Sequence, residues 1–451
     1  MSAPQDRLSS TLLRPLEQPR IGWYLLVGFL ASVVACGVFA FLLQATRGYG
    51  LTGTQWPNFW GFLIIDFVFW IGISHAGTLI SAILRLVNAG WRRPVTRCAE
   101  VITAFALIIG GLFPIMHLGK PWLFFWLVPY PNQRLIWPNF RSPLSWDFFA
   151  ISTYLTGSLL FLFLPMIPDF ALIRDRSTGM KRTIYGALAL GWRGTTHQWH
   201  RLETAMQIMA IAIIPVAVSV HTIVSFDFSM APVPMWHSSI FGPYFVAGAI
   251  FSGIAGLIIA MAALRRVLKL EAYLEEIHFE NLGKLMLTMS LLWGYFTFNE
   301  RLTAWYGNHV SEVNAFQATQ TGPYAPLFWT MVVLNFVIPI ILLGIRRFRT
   351  ITGCVIASIG IVIGMWLERF LIVVPSLAYK FLPYSWGIYS PRPTEIVITA
   401  ATFAAMALLY TLFAKFIPII SIWEMRAGEH PKKSPVAVSA PADQRLGETH
   451  A

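Results

Sequence analysis

The chain of 451 residues has a mean hydropathy of +0.62, with 56% hydrophobic and 12% charged residues, which excludes an ordinary soluble domain. Its net charge of +12 would suit nucleic acid, but the placement of that charge along the chain argues against it. Apolar runs long enough to cross a bilayer recur about ten times by the length rule. They fall roughly at 21–45, 57–86, 98–117, 144–167, 203–225, 242–264, 284–306, 325–345, 351–376 and 395–422. Each is continuously apolar rather than alternating, so helices and not a barrel are expected. The fold class expected is therefore an all-α integral membrane protein. A cytoplasmic leader covers 1–20, a polytopic membrane domain 21–423, and a disordered polar tail 424–451 with Pro431, Pro435 and Pro441.

With the N-terminus placed in the cytoplasm, few basic residues reach the far side. They are Arg47, Lys120, Arg134, Arg141, Lys380 and Arg392. Arg301 and Arg369 lie inside spans, and the rest of the 33 basic residues fall on the cytoplasmic side. This positive-inside pattern sets both termini inside. Clusters such as Lys181-Arg182 serve as topology signals, with contact to anionic lipid as a secondary reading. The outer connections WLVPYPNQRLIWPNF and FLPYSWGIYSPRP are aromatic and poor in charge, which suits an interfacial belt or a docking surface. Cys36, Cys98 and Cys354 are far apart and without a CxxC partner, so they build no iron–sulfur or zinc site and read as buried, inert thiols.

The titratable residues within or beside the spans carry the chemistry. His117 closes the third span and Asp147 opens the fourth. His221 and Asp227 end the fifth, in HTIVSFDF. Topology places all four near the outer surface. A carboxylate and an imidazole there suit the two hydroxyls of a quinol, and one can take a proton as electrons leave. Helix capping or a dipole contact competes for Asp147. A haem held between His117 and His221 is disfavoured, because the neighbouring acids suit proton chemistry better. A deeper set, Asp66 and His75 in span two with Glu100 in span three, reads as a proton relay or as interhelical hydrogen bonds. Glu300-Arg301 and Glu368-Arg369 are expected to form structural ion pairs between spans seven and nine.

The elements MHLGKPW, PNFRSPLSWDFFA and HTIVSFDF resemble the NrfD/polysulfide-reductase-C family of quinone-interacting membrane subunits. The resemblance runs from about Gly22 to about Trp423, and is nearest to the quinol-oxidising membrane subunit of alternative complex III. It implies two four-helix bundles with flanking helices, the first from spans two to five (about 57–225) and the second from spans six to nine (about 242–376). It implies a quinol site at the periplasmic side formed by His117, Asp147 and Asp227, and a proton route through Asp66, His75 and Glu100. Menaquinone is favoured over ubiquinone, and no haem or metal belongs to this chain. The implied partners are a periplasmic iron–sulfur subunit, a multihaem cytochrome c and other membrane subunits, including a paralogous one. The implied location is the bacterial inner membrane. Two other readings are an anchor for a reductase complex such as polysulfide reductase, and a secondary transporter. The transporter should show broken helices and a midplane site, and the polar cluster at one surface counts against it.

Overall fold

The computed structural model describes residues 11–16, 21–128, 142–379 and 382–429. Most of the outer connection after Val128, including Arg134 and Arg141, lies outside the described residues, as do Lys380 and the prolines of the tail. The described chain is helical, with no strand among the described residues. Its helices are α1 (Ile21–Arg47), α2 (Phe62–Leu86), α3 (Arg93–His117), α4 (Pro143–Phe163), α5 (Ile167–Asp175), α6 (Gly179–Leu188) and α7 (Thr196–Ser229). They continue as α8 (Phe241–Val267), α9 (Glu276–Gly307), α10 (Val310–Gln320), α11 (Ala325–Val332), α12 (Ile351–Ala378), α13 (Pro393–Phe416) and α14 (Ile422–Glu429). Among the described residues, nine helical segments are long and apolar enough to cross a membrane. The tenth expected span is α9, which is long enough but carries Glu276, Glu280, Lys284, Glu300 and Arg301. The all-α membrane fold is thus as expected.

Burial sorts the helices. The apolar window of α2 is 100% buried, whereas that of α1 is 17% buried. A helix buried on every side forms the core, and α2 is that helix, with Asp66, Ser74, His75, Thr78 and Ser81 buried along it. It neighbours α3, α7, α8 and α12, while α4 closes a ring between α3 and α7. Beside α8 stand α9 and α12, and α11 packs on α12. The lipid-facing α1 packs against α13, with Gly37 set against Ala401. Glycine permits the closest approaches. Gly77 of α2 lies on the Ala99 carbonyl of α3, and Gly253 of α8 lies on Ala76 of α2. A side chain at either point would force the helices apart.

Local chemistry sets the ends. Thr195 and Gln198 form a capping box at the start of α7, and Thr350 caps α12 by accepting from Gly353 N at 3.1 Å. Beyond α11 the helix loosens into π turns at Val333–Val337 and Ile340–Gly344. Pro339, which has no N–H to give, sits between them. The last span ends earlier than expected, at Phe416, two residues before Pro418. The tail expected from 424 opens instead as helix, and Glu424 is buried. Cys36, expected to be buried, is exposed on α1, while Cys98 and Cys354 are buried.

Candidate functional site

Asp147 lies in the second turn of α4. The N-cap position belongs to Ser142, so Asp147 does not cap the helix. Its side chain turns inward, 3% exposed, and its carboxyl comes within hydrogen-bond reach of Asp227 at the end of α7. A hydrogen bond between two carboxyl groups needs a proton on one of them. One oxygen of each, Asp147 Oδ1 and Asp227 Oδ1, is buried without a hydrogen-bond partner among the described residues. His117 ends α3, and its Nδ1 is likewise buried and unpartnered among the described residues. The hydroxyl of Tyr49 donates to the His117 carbonyl and ties this helix end to the loop after α1. Gly119, at φ 72°, turns the chain beside the Tyr49 ring.

Aromatic rings link these groups. Trp60 meets His117 edge-on at 6.4 Å and Phe228, the neighbour of Asp227, at 5.7 Å. It also stacks on Trp236 at 5.2 Å, and Trp236 donates to the Ile372 carbonyl at 2.7 Å. The site is therefore one end of the α2–α3–α4–α7 ring, walled by tryptophan. Sequence reasoning misses this aromatic wall, although the FWG string before α2 carries a half-buried Trp60.

His221 does not join this end. It is 0% exposed, and its ring stands 5.3 Å from that of His75, also 0% exposed. All four ring nitrogens lack partners among the described residues. Tyr154 of α4 donates to the Ser74 and His75 carbonyls, both at 3.3 Å. A seam of hydroxyls then follows α2 and α3. Thr103 accepts from Thr78 N at 2.8 Å, and Ser81 donates to Glu100 at 2.6 Å. Asp66 leaves that seam. Nine residues from His75, it lies about half a turn away around the helix. There it accepts from Trp366 Nε1 at 2.9 Å and from Thr399 at 2.5 Å, which ties α2 to α12 and α13. The structure thus brings Asp147 to Asp227 and His75 to His221, and separates Asp66 from His75.

The ion pairs expected between spans seven and nine are replaced by other contacts. Arg369 pairs with its own neighbour Glu368, which also accepts from Trp293 Nε1 at 2.5 Å. Arg301 donates to Thr319 at 2.9 Å and Glu300 accepts from Ser238 at 3.0 Å. Each charge is satisfied locally, so no bridge between the spans is required.

Four structural charges also escape sequence reasoning. Arg97 pairs with Asp169 at 2.6 Å, both 1% exposed. Glu424 is held by Arg85 at 2.5 Å and Arg92 at 3.1 Å. Glu395 accepts from Gly53 N and the Tyr389 hydroxyl, each at 2.6 Å. Burial alone would push the Glu424 carboxyl up, but Arg92 and Arg85 hold it below the usual carboxylate range.

A family model described as polysulphide reductase, NrfD, matches residues 50–380. Three relatives extend the likeness over most of the chain. A chain of Halobacterium salinarum, provisionally named as a membrane subunit of dimethyl sulfoxide reductase, is 24% identical over 88% of this chain and 91% of its own. A selenate reductase subunit of Mesobacillus selenatarsenatis is 24% identical over 92% of this chain and 97% of its own. The Hdr-like menaquinol oxidoreductase integral membrane subunit of Archaeoglobus fulgidus is 24% identical over 92% and 98%. With those matches and nine apolar helices among the described residues, the chain is a multi-pass membrane protein of the NrfD polysulphide reductase family.

Proposed function

We propose that this chain is the membrane subunit of an oxidoreductase complex and that it binds quinol at the Asp147–Asp227 end of the first helix ring. The observation that carries this reading is the set of unpartnered buried atoms there: Asp147 Oδ1, Asp227 Oδ1 and His117 Nδ1. Buried polar atoms left without partners need an explanation, and three of them at one end of the ring beside an aromatic wall fit a bound ligand. A hydroquinone brings two O–H donors and a flat ring, which fits carboxylate acceptors beside the Trp60 face. Oxidation of quinol to quinone releases two electrons and two protons. As the two O–H bonds break, the carboxyl pair accepts one proton and His117 Nδ1 the other, and the two electrons pass to a redox partner. One relative is named for menaquinol, which supports menaquinol as the substrate.

In the fuller form of this reading, the complex is of the alternative complex III type. An iron–sulfur subunit takes the electrons on the periplasmic side, a multihaem cytochrome c and a paralogous membrane subunit complete the assembly, and both termini face the cytoplasm of the bacterial inner membrane. In this reading His221, His75, Tyr154, the α2–α3 hydroxyls and Glu100 would relay protons, and Asp66 would serve that route only through another group. A second reading is favoured by the names of two relatives, both reductase subunits. In it the same site oxidises quinol and a reductase subunit receives the electrons.

The test is quinol:acceptor turnover of the purified native complex carrying Asp147→Asn or His117→Ala, with assembly checked in parallel. Loss of turnover by about 100-fold or more in an assembled complex is expected. Normal turnover would leave these residues structural and remove the site from this end.

A further inference from the structure

A second surface lies at the opposite end of the same ring. The 21 residues of α4 rise about 31 Å, roughly the hydrocarbon thickness. The α5 helix runs on from it in one 33-residue apolar segment, Pro143–Asp175, so α6 begins past the end of the span, at the bilayer boundary. The α6 helix is fixed on one side only. Tyr185 is buried, donates to the Phe416 carbonyl at 2.6 Å and lies 6.1 Å from the Phe170 ring of α5. On the other side Met180, Ile184 and Ala187 follow at i, i+4 and i+7, which places them on one stripe. Met180 is 80% exposed and Ile184 52%, and Leu190 beyond the helix end is 68% exposed. The described residues leave this stripe uncovered.

The surrounding charge is one-sided. Between 174 and 201 stand Arg174, Arg176, Lys181, Arg182, Arg193 and Arg201, against Asp175 as the single acid. An apolar stripe flanked by cations at the bilayer boundary is the pattern of a helix lying in the interface. We propose that α6 rests in the headgroup layer, its Met180–Ile184–Ala187 stripe in the acyl boundary, and that Lys181, Arg182 and Arg193 bind anionic phospholipid. The occupant is the bilayer and not a cytoplasmic protein, because headgroup depth and charge complementarity coincide on one short helix. This inference is independent of the quinol site.

Spin labels test it on the full complex in vesicles of phosphatidylglycerol and phosphatidylcholine. Cysteines would be placed singly at 180, 182, 184 and 187 in a Cys36→Ser background. The labels at 180, 184 and 187 should relax faster with oxygen than with a water-soluble nickel chelate, and the label at 182, on the opposite side of the helix, the reverse. Preference for the chelate at the stripe would overturn the proposal. Protection from both reagents would overturn it in favour of a protein partner. The triple variant Lys181→Gln, Arg182→Gln, Arg193→Gln should lose retained phosphatidylglycerol in native mass spectrometry. An unchanged count would remove the anionic-lipid part.

Discussion

Arg97 shows what an isolated charge requires inside this fold. Its guanidinium reaches Asp169 and also donates to the Pro165 and Pro418 carbonyls, each at 3.0 Å. Asp169 accepts in turn from Ile422 N at 3.2 Å. Removing one partner leaves the other buried and unpaired, so Asp169→Asn should destabilise the protein by about 3–5 kcal/mol. Thermal unfolding in detergent measures this. Glu424 gives a pH signature. Because its folded pKa is depressed, its contribution is complete above the ordinary carboxylate value and is lost as pH falls through the folded one. Stability of the wild type should therefore fall below about pH 4.3, the ordinary glutamate value. Glu424→Gln should be less stable at neutral pH and lose less on acidification, as read by melting temperature across pH. His117, Asp147 and Asp227 are legible in the sequence because titratable groups beside hydrocarbon stand out. The pairing of His221 with His75 is not, since helical phase and neighbours are set by packing. Arg97, Asp169 and Glu424 escape notice because charges at span ends look like solvated ones.

At the scale of elements, long apolar runs locate the spans, with ends off by as much as eight residues, as where α9 opens at Glu276 rather than at 284. Such runs cannot rank the spans by burial. The central position of α2 follows from small residues at its contacts, and Gly77→Val should prevent the α2–α3 approach. Overpacking of this kind costs about 1–3 kcal/mol, and lower yield of assembled protein with a lower melting temperature would confirm it. The polar α9 reads as a span on length; Glu280 pairs with Lys284 one turn on, and Glu300 and Arg301 meet Ser238 and Thr319 of neighbouring elements. The end of α13 at Phe416 and the start of α14 are hidden, because the apolar run continues through Ile417–Ile420 while the helix does not. Thr195→Ala removes the cap of α7 and should cost about 1 kcal/mol, a small shift that chemical denaturation resolves.

At the scale of the molecule, the first helix group, α2, α3, α4 and α7, meets the second, built around α8, where α2 and α7 pack on α8. The carboxyl pair and the tryptophan wall occupy one end of the first group, and the basic shoulder of α5 and α6 the other. That separation suits a subunit that oxidises quinol on one face and rests on charged lipid at the opposite face. The measurement that tests the central claim most directly is a cryo-EM map of the native complex loaded with quinol. The expected result is a headgroup beside Trp60, with its hydroxyls within hydrogen-bond distance of Asp147 or Asp227 and of His117. A headgroup bound in the second helix group, with the Asp147–Asp227 pair empty, would contradict it.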